Sequence, residues 1–194
     1  MSRALIVIDV QESFRELPEW QTISNPEIVK PVARLVEAAR SRNDLVVWVL
    51  HAEPGSVTPF DPASGYVRLM DGLSPGPGEP TITKSSHNAF TTTNLQQILT
   101  SERIAELVVC GIRTEQCCET TARVGSDLGY DVTFVTDATA TNPIEHRDAA
   151  SGRSAAEILA DPATLPAADV IARTEYALAG RFATIASVEE LAGT

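Results

Sequence analysis

Short apolar runs alternate along the chain with stretches in which apolar residues recur every three or four positions. Four runs are nearly continuous in apolar residues, many of them β-branched, and they lie at 4–10, 45–50, 107–110 and 131–138. Such runs are typical of strands buried on both faces, as in a parallel sheet covered by helices. Two weaker runs, at 81–84 and 182–187, predict further strands.

Helical periodicity fills the intervals between these strands. Residues 24–42 carry one apolar stripe, formed by Ile28, Val29, Val32, Leu35, Val36 and Ala39. Ser24 or Asn25 is the expected N-cap of this helix, with Pro26 in the first turn. Further helices are predicted at 93–101, 115–128 and 153–159. Gly129 is expected to end the helix that precedes it.

The alternation of strands and helices predicts an α/β fold. We expect right-handed crossovers and a doubly wound, mostly parallel sheet of about six strands with helices on both faces. The 194 residues fit a single domain over 1–194. The Pro- and Gly-rich segment 51–80 and the Ala-rich segment 138–169 exceed ordinary connections. Because long loops in compact domains are frequently functional, we predict that both help to shape the ligand site.

The charge balance excludes two classes of partner. Fifteen Lys and Arg residues stand against 26 Asp and Glu residues, which gives a formal charge of −11. Such a chain repels nucleic acid and anionic membrane surfaces. Its three cysteines form no disulfide framework, and the apolar run at 4–10 lacks the features of a secretory signal. We therefore predict a cytoplasmic protein whose partner is a small molecule.

Residues suited to covalent catalysis follow the predicted strands. Asp9 ends the first strand, Lys84 ends the third, and the pair Cys117 and Cys118 opens the helix after the fourth. Ligands bind at the carboxyl ends of the strands in a doubly wound sheet, so these groups are expected at one edge. A helix N-terminus and a nearby Lys both lower the pKa of a thiol, which predicts a thiolate at neutral pH. Asp9 could accept the thiol proton, and the residues alone leave open which cysteine reacts.

Three segments carry a family resemblance: ALIVIDVQESF, TITKSSHNAF and VVCGIRTEQCCETTARVGSDLGYDVTFVTDATAT. Taken in this order, they are similar to the isochorismatase-like cysteine hydrolases, which include nicotinamidases and N-carbamoylsarcosine amidohydrolases. The resemblance covers roughly residues 4–142 and the closing strand and helix. It implies a Rossmann-like α/β sandwich, a catalytic triad of Asp9, Lys84 and Cys117, and a homodimer or homotetramer.

The motif around the two adjacent cysteines indicates the nucleophile. The family pattern of Gly, two residues, Thr, an acidic residue, one more residue and the nucleophile falls on Gly111, Thr114, Glu115 and Cys117. Cys118 stands where the family usually carries a small apolar residue. A rotation of about 100° per helical residue turns its side chain toward the packed interior.

An oxyanion hole follows from the same resemblance. It implies a cis peptide bond between Ile112 and Arg113, which would turn the backbone N–H of Arg113 toward that of Cys117. These two N–H groups would then bind the oxyanion. Cys110, in contrast, lies within a predicted strand and is expected in the core.

The predicted substrate-binding residues are Phe14, His51, His87, Phe90 and Arg113. Arg113 and Arg123 are candidates to hold a substrate carboxylate, because a guanidinium group pairs with it in bidentate geometry. The resemblance to nicotinamidases implies an Asp-x-His pair that holds a metal. In this chain Val49 stands at the position of that Asp. The chain has three histidines in all, too few for a three-imidazole site, so no metal and no other cofactor is predicted.

The sequence therefore predicts a metal-independent cysteine hydrolase that cleaves a C–N bond of a small amide, ureido or carbamoyl compound through a thioester. One alternative is an isochorismate-type vinyl-ether hydrolase, which would use Asp9 and Lys84 without needing the cysteine. Another is a non-enzymatic redox or ligand-binding protein that uses Cys117 and Cys118. Adjacent helical residues hold their thiols badly for a disulfide, which speaks against that last alternative.

Overall fold

The computed structural model describes residues 2–193, and its strands form one sheet. The strands are β1 (Ser2–Ile8), β2 (Leu45–His51), β3 (Thr81–Lys84), β4 (Ile104–Ile112), β5 (Asp131–Ala140) and β6 (Thr184–Ala186). Their order is β3-β2-β1-β4-β5-β6, and every neighbouring pair is parallel. The chain changes its winding direction between β1 and β4, which is where sheets of this kind bind ligands.

Helices cover both faces of the sheet. They are α1 (Val29–Ser41), α2 (Leu95–Ser101), α3 (Glu119–Asp127), α4 (Ala155–Ala160), α5 (Ala167–Leu178) and α6 (Val188–Ala192). One hydrophobic cluster joins the sheet to α1 and α6, and a second joins the opposite face to α2, α3 and α5. The predicted α/β fold, with a parallel sheet between two helical layers, is confirmed.

The continuous apolar run of β1 has a direct structural cause. Leu5 and Val7 point into the cluster on the α1 side, whereas Ala4, Ile6 and Ile8 point into the cluster on the α2 side. Successive side chains of a strand face opposite sides of the sheet, so a central strand that is covered on both sides must be apolar at every position.

The predicted N-caps of α1 have other partners. This helix begins at Val29 rather than directly after Ser24 or Asn25. Ser24 Oγ accepts a hydrogen bond of 3.1 Å from the backbone N–H of Thr141, and Asn25 Oδ1 accepts one of 3.1 Å from that of Glu27. These side chains therefore fix the loop that precedes the helix.

Two helical segments differ from their sequence-based predictions. The helix predicted at 115–128 is divided into a π-helical turn, Thr114–Cys118, and α3. The second difference is α5, which the sequence pattern did not predict. Its buried positions are Val170, Thr174 and Leu178, and the polar threonine interrupts the apolar repeat that periodicity depends on.

The long segment 51–80 folds back over the residues that follow β1. The backbone N–H of Met70 donates to the carbonyl of Val10 at 3.0 Å, and that of Glu12 donates to the carbonyl of Arg68 at 2.9 Å. This segment therefore borders the carboxyl edge of the sheet at its centre.

Candidate active site

An acid, an ammonium group and a thiol meet at the carboxyl edge of the sheet. Asp9 follows β1, Lys84 is the last residue of β3, and Cys117 lies in the π-helical turn after β4. Lys84 Nζ lies 2.7 Å from Asp9 Oδ2 and 3.3 Å from Cys117 Sγ. The side chains of Asp9 and Lys84 are fully buried, and Cys117 is 7% exposed. The structure thus brings together the three residues proposed from the strand ends.

A close approach of β4 to β1 sets the distance between the acid and the thiol. Gly111 in β4 is the register partner of Ile8, the residue before Asp9. Its φ is +131°, and a Cβ atom at this position would lie 1.9 Å from the carbonyl oxygen of Ile8. Glycine is the residue that fits such backbone contact. Asp9 and the turn that carries Cys117 therefore leave the sheet side by side.

The π-helical turn presents backbone N–H groups next to the thiol. The peptide bond between Ile112 and Arg113 is cis, as the family resemblance implies. The N–H groups of Gln116 and Cys118 donate to the carbonyl of Arg113 at 3.3 and 3.2 Å. The N–H of Cys117 lies between them in the first turn of the helix, where such groups lack a helical partner. The N–H groups of Arg113 and Cys117 are therefore the candidates for an oxyanion hole.

Lys84 is a buried positive charge with three close neighbours. In addition to Asp9 and Cys117, its Nζ contacts His51 Nδ1 at 3.3 Å. Its hydrogen-bond partners are therefore His51 and Cys117, and Asp9 is its ion-pair partner. Burial lowers the pKa of Lys84, but the attraction of the Asp9 and Cys117 charges is among the effects that outweigh burial, and the pKa is raised.

Asp9 has the properties of a proton acceptor. Burial raises the pKa of its carboxyl group above the ordinary value, and the attraction of Lys84 offsets that rise only in part. Although Lys84 is close, no residue in the described part of the chain donates a well-directed hydrogen bond to either carboxylate oxygen. The contact is therefore chiefly electrostatic, and it leaves lone pairs on Asp9 available for a proton.

The expectation of a thiolate at neutral pH is wrong for this structure. Burial, followed by repulsion from Asp9, raises the pKa of Cys117 to about 12, and Lys84 offsets only part of that rise. Enclosure disfavours the charged form more strongly than the helix terminus and the ammonium group favour it. The resting sulfur is therefore a thiol, which must transfer its proton to a neighbouring base as it reacts.

We expect the protein to lose stability as the pH rises above about 9. Burial raises the pKa of Cys110 and of Cys117 to about 12, and that of Cys118 is raised well above 9. Because the folded state favours the protonated thiols, their contribution is complete below the unfolded-state pKa and is lost as the pH approaches the folded-state pKa. Each thiol lowers the free energy of unfolding by about 1.4 kcal/mol per pH unit in that range.

Urea unfolding under reducing conditions, from about pH 8 to about pH 10.5, measures this slope. Cys110→Val is the informative variant because Cys110 lies in β4 and donates to the carbonyl of Ile6 rather than contacting the catalytic candidates. It should reduce the thiol contribution to the slope by about a third. An unchanged slope in this variant would contradict the assignment.

A series of side-chain contacts extends from Lys84 to Arg113, the residue directly before the π-helical turn. His51, which contacts Lys84, has its ring centroid 5.6 Å from that of Phe60. Phe60 meets Phe14 edge to face at 5.0 Å, and the Phe14 ring lies 5.8 Å from the guanidinium carbon of Arg113. We refer to His51, Phe60, Phe14 and Arg113 as the substrate wall. These contacts run from Lys84, beside the thiol, to the residue that precedes the π-helical turn.

Gln11 holds His51 in this wall. Its Oε1 accepts a hydrogen bond of 2.7 Å from the backbone N–H of His51, and its Nε2 donates to the His51 carbonyl at 3.0 Å. On the ring, Nδ1 faces the ammonium group of Lys84, and Nε2 lies 3.3 Å from Glu53 Oε1. Nδ1 must therefore be the acceptor and Nε2 the donor, so that His51 orients Lys84.

Three further candidates for substrate binding have surroundings of their own. His87 is exposed to solvent, and Phe90 packs against the core cluster on the α2 side. Arg123 forms an ion pair of 2.8 Å with Glu119 and lies 4.4 Å from the ring of Phe182. Substrate binding by His87, Phe90 and Arg123 stays a prediction, and the last two have close neighbours of their own.

Two residues of the site were missing from the sequence-based prediction. Phe60 lies in the Pro- and Gly-rich segment, where an aromatic residue between prolines, in TPFDP, was the available signal. Gln11 is fully buried two residues after Asp9, within IDVQESF. A polar residue directly after a buried strand could have been recognised as part of the site, since ligands bind at that edge.

Metal binding has no support from the arrangement of donor groups. Within residues 2–193, no group of three His, Cys, Asp or Glu side chains is placed to hold a metal ion. Val49, at the position of the metal-binding Asp of nicotinamidases, is fully buried in β2. Metal independence stays a prediction for experiment.

No helix among residues 2–193 is long and apolar enough to cross a lipid bilayer. The longest helix in that range is α1, with 13 residues, whereas a span needs about 20. The cytoplasmic location and the homodimeric or homotetrameric state stay predictions.

Comparison with known proteins agrees with the family resemblance. A family model described as the isochorismatase domain matches residues 3–165. A secreted isochorismatase effector of Verticillium dahliae is 34% identical over 147 residues, which cover 75% of this chain and 76% of the effector. A streptothricin hydrolase of Streptomyces noursei is 35% identical over 145 residues, which cover 73% of this chain and 56% of that protein.

Similarity extends to solved structures. A cysteine hydrolase from Pseudomonas syringae pv. phaseolicola has a TM-score of 0.81 and 25% sequence identity, and the match covers 98% of this chain and 90% of that one. The family model spans most of the chain. The chain therefore belongs to the isochorismatase family of hydrolases.

Proposed function

We propose that this chain is a metal-independent cysteine hydrolase that cleaves a C–N bond of a small amide, ureido or carbamoyl compound. The observation that carries the proposal is the buried cluster in which Lys84 Nζ contacts both the Asp9 carboxylate and the Cys117 sulfur. A thiol, a base with free lone pairs and a fixed positive charge are the groups that acyl transfer requires. The names of two similar proteins, a cysteine hydrolase and a streptothricin hydrolase, support hydrolysis.

In the first half of the reaction, Cys117 Sγ attacks the carbonyl carbon while its proton passes to Asp9. A C–S bond forms, and the carbonyl oxygen becomes an oxyanion that the backbone N–H groups of Arg113 and Cys117 bind. Asp9 then gives the proton to the substrate nitrogen, the C–N bond breaks, and the amine leaves. Lys84 stabilises the negative charge as it moves from the carboxylate to the sulfur and back.

In the second half, water hydrolyses the thioester. Asp9, again a carboxylate, takes a proton from water as the water oxygen attacks the thioester carbonyl. The C–S bond breaks, Asp9 returns the proton to the sulfur, and the acid product leaves. The raised pKa of Asp9 favours this role, because a stronger base takes the proton of a thiol or a water more readily.

The surroundings of the two adjacent cysteines favour the thiol hydrolase over its alternatives. A vinyl-ether hydrolase has no need of the sulfur, whereas here Cys117 accepts a hydrogen bond from Lys84. Both cysteines belong to the hydrophobic cluster on the α2 side, but Cys118 is fully buried, whereas Cys117 is 7% exposed and its sulfur contacts Lys84 Nζ. The two sulfur atoms therefore have different surroundings.

A substrate panel tests the proposal. Small primary amides, ureido acids, carbamoyl compounds and nicotinamide are offered to the purified protein, with ammonia release as the readout, and isochorismate is included as the vinyl ether. We expect turnover within the amide, ureido and carbamoyl classes that EDTA leaves unchanged and iodoacetamide abolishes. Restoration of a lost activity by a divalent metal would contradict metal independence. Turnover of isochorismate alone, unaffected by iodoacetamide, would favour the vinyl-ether alternative.

A further inference from the structure

The π-helical turn that carries Cys117 begins differently from other helices of the chain. In α4 and α6, the N-cap residues Ser154 and Ser187 accept a hydrogen bond from a backbone N–H of the first turn. In the part of the chain that the structure describes, Arg113 is the N-cap of the π-helical turn, and its side chain makes no such bond. A cap would occupy N–H groups of the kind that the proposed mechanism needs at Cys117. The turn must therefore be held in place by other groups.

The carbonyl groups at the end of the turn are held by the helix that follows. Thr120 Oγ1 donates a hydrogen bond of 2.6 Å to the carbonyl of Gln116, and Thr121 Oγ1 donates one of 2.6 Å to the carbonyl of Cys117. These bonds join the end of the turn to α3. They do not involve its first two residues.

Those first two residues are bound to the end of β5 by their side chains. Thr114 Oγ1 donates a hydrogen bond of 2.8 Å to Thr139 Oγ1, and Glu115 Oε2 accepts one of 2.5 Å from Thr141 Oγ1. Thr114, Thr139 and Thr141 are all buried. Alternate residues of an extended segment lie on the same face, so Thr139 and Thr141 present their hydroxyl groups to the turn together.

An irregularity in β5 brings these threonines beside the turn. Val109 of β4 is the register partner of Phe134, yet Gly111, two residues later, is the partner of Thr139. β5 therefore advances from 134 to 139 while β4 advances from 109 to 111. Bulges of this kind redirect side chains and are common next to active sites.

The bond between the two hydroxyl groups has only one possible direction. Thr139 Oγ1 donates its proton to the carbonyl of Thr136 at 2.8 Å. A hydroxyl group has a single proton, so Thr139 can only accept from Thr114. The chain of bonds thus connects the first residue of the turn to the backbone of β5.

We propose that Thr114 and Thr139 are positioning residues for the hydrolysis. By fixing the start of the turn to β5, their hydrogen bond directs the N–H of Cys117 toward the oxyanion. This inference rests on the proposed hydrolase function. It assigns the orientation of the oxyanion hole to the pair, whereas the sulfur is held separately by its contact with Lys84.

Two reagents distinguish these roles without knowledge of the natural substrate. When p-nitrophenyl acetate acylates Cys117, the C–S bond forms through a tetrahedral oxyanion, the ester C–O bond breaks, nitrophenolate leaves and the thiol proton passes to Asp9. Alkylation by iodoacetamide displaces iodide from a saturated carbon and forms no oxyanion. Acylation is measured as nitrophenolate release in excess of that from iodoacetamide-blocked protein, and alkylation by peptide mass spectrometry.

Thr114→Val removes the donor while nearly preserving the shape of the side chain. We expect acylation to slow by about 10- to 100-fold, because removing an oxyanion donor outright costs about 10²–10³-fold and here the donor is only misdirected. Alkylation should change by less than about threefold, since it has no oxyanion to stabilise. Thr114→Ser, which keeps the donor, should restore acylation to within about threefold of the wild-type rate.

Thr139→Val removes the acceptor of the same bond and should slow acylation to a similar extent. It also carries the test if Thr114→Val does not accumulate as folded protein. Combining the two substitutions should cause little further loss, because both remove one hydrogen bond.

Thr174→Val is the matched control. It removes another fully buried threonine hydroxyl, which donates to Glu119 Oε2 at 2.8 Å outside the turn. Its urea midpoint should shift about as much as that of Thr114→Val, while its acylation rate should stay within about twofold of the wild-type rate. The comparison separates a loss of orientation from a general loss of stability.

Unchanged acylation in both valine variants, equal slowing of acylation and alkylation, or failure of Thr114→Ser to restore acylation would overturn the positioning role. A wild-type protein that iodoacetamide modifies but p-nitrophenyl acetate does not would overturn it as well, since no oxyanion would then be stabilised at this sulfur. Failure of both reagents to modify Cys117 would instead contradict the thiol nucleophile of the proposed function, and this inference with it.

Discussion

Replacing Cys117 with alanine should abolish hydrolysis of any compound that the wild-type protein turns over. Its sulfur is the atom proposed to bond to the substrate carbonyl, and the proton transfers of Asp9 depend on the bond that this sulfur forms. Because such residues work as a unit, loss of the nucleophile should lower kcat by at least about 10⁴-fold. Steady-state kinetics with a substrate from the panel measures this loss. Mass spectrometry of the quenched reaction should detect the acyl-enzyme in the wild-type protein alone.

Cys118→Ala is the matched control for this result. Cys118 is a neighbouring buried cysteine, but it packs in the hydrophobic cluster. Its loss should lower the free energy of unfolding modestly, by about 1 kcal/mol, and leave kcat near the wild-type value. Appreciable turnover by Cys117→Ala, or an equal loss in both variants, would contradict the assignment. Asp9→Asn is less decisive, because it leaves the buried charge of Lys84 unpaired and could destabilise the fold by about 3–5 kcal/mol.

Gly111→Ala should be far more destabilising than the addition of one methyl group suggests. The new Cβ would lie 1.9 Å from the carbonyl oxygen of Ile8, where backbone rather than a flexible side chain would have to yield. β1 and β4 are central strands, so neither can shift without disturbing both core clusters. We expect a loss of more than about 4 kcal/mol in the free energy of unfolding, or failure to accumulate as folded protein. Urea unfolding and soluble yield measure the effect.

Gly129→Ala separates the clash from backbone strain. Gly129 also has a positive φ, +93°, but a Cβ there would meet no atom within 4 Å. This variant therefore experiences only the conformational penalty, about 1–2 kcal/mol. Equal destabilisation of the two variants would contradict this prediction. It would mean that the clash with the Ile8 carbonyl oxygen does not add to the conformational penalty at Gly111.

Local pattern and general topology were sufficient for much of this protein. Continuous apolar runs indicated strands covered on both faces, and the helical stripes between them indicated parallel connections. From that architecture alone, Asp9, Lys84 and the cysteine pair had to arrive at one edge of the sheet, because the carboxyl ends of parallel strands share an edge. The cysteine motif and its family resemblance then indicated Cys117 rather than Cys118.

Other properties arise from contacts between segments that are distant along the chain. The thiol of Cys117 is neutral because burial and the charge of Asp9, contributed by a strand more than a hundred residues earlier, outweigh local effects. Phe60 joins the substrate wall only because its loop folds back over the end of β1. Arg113 and Arg123 look alike in sequence, yet Arg123 meets Glu119 while Arg113 is left without an acceptor. The periodicity of a sequence predicts the face of an element on which a residue lies. The charge state of a side chain and the hydrogen-bonding groups it leaves unpaired depend instead on every neighbour that folding brings to it.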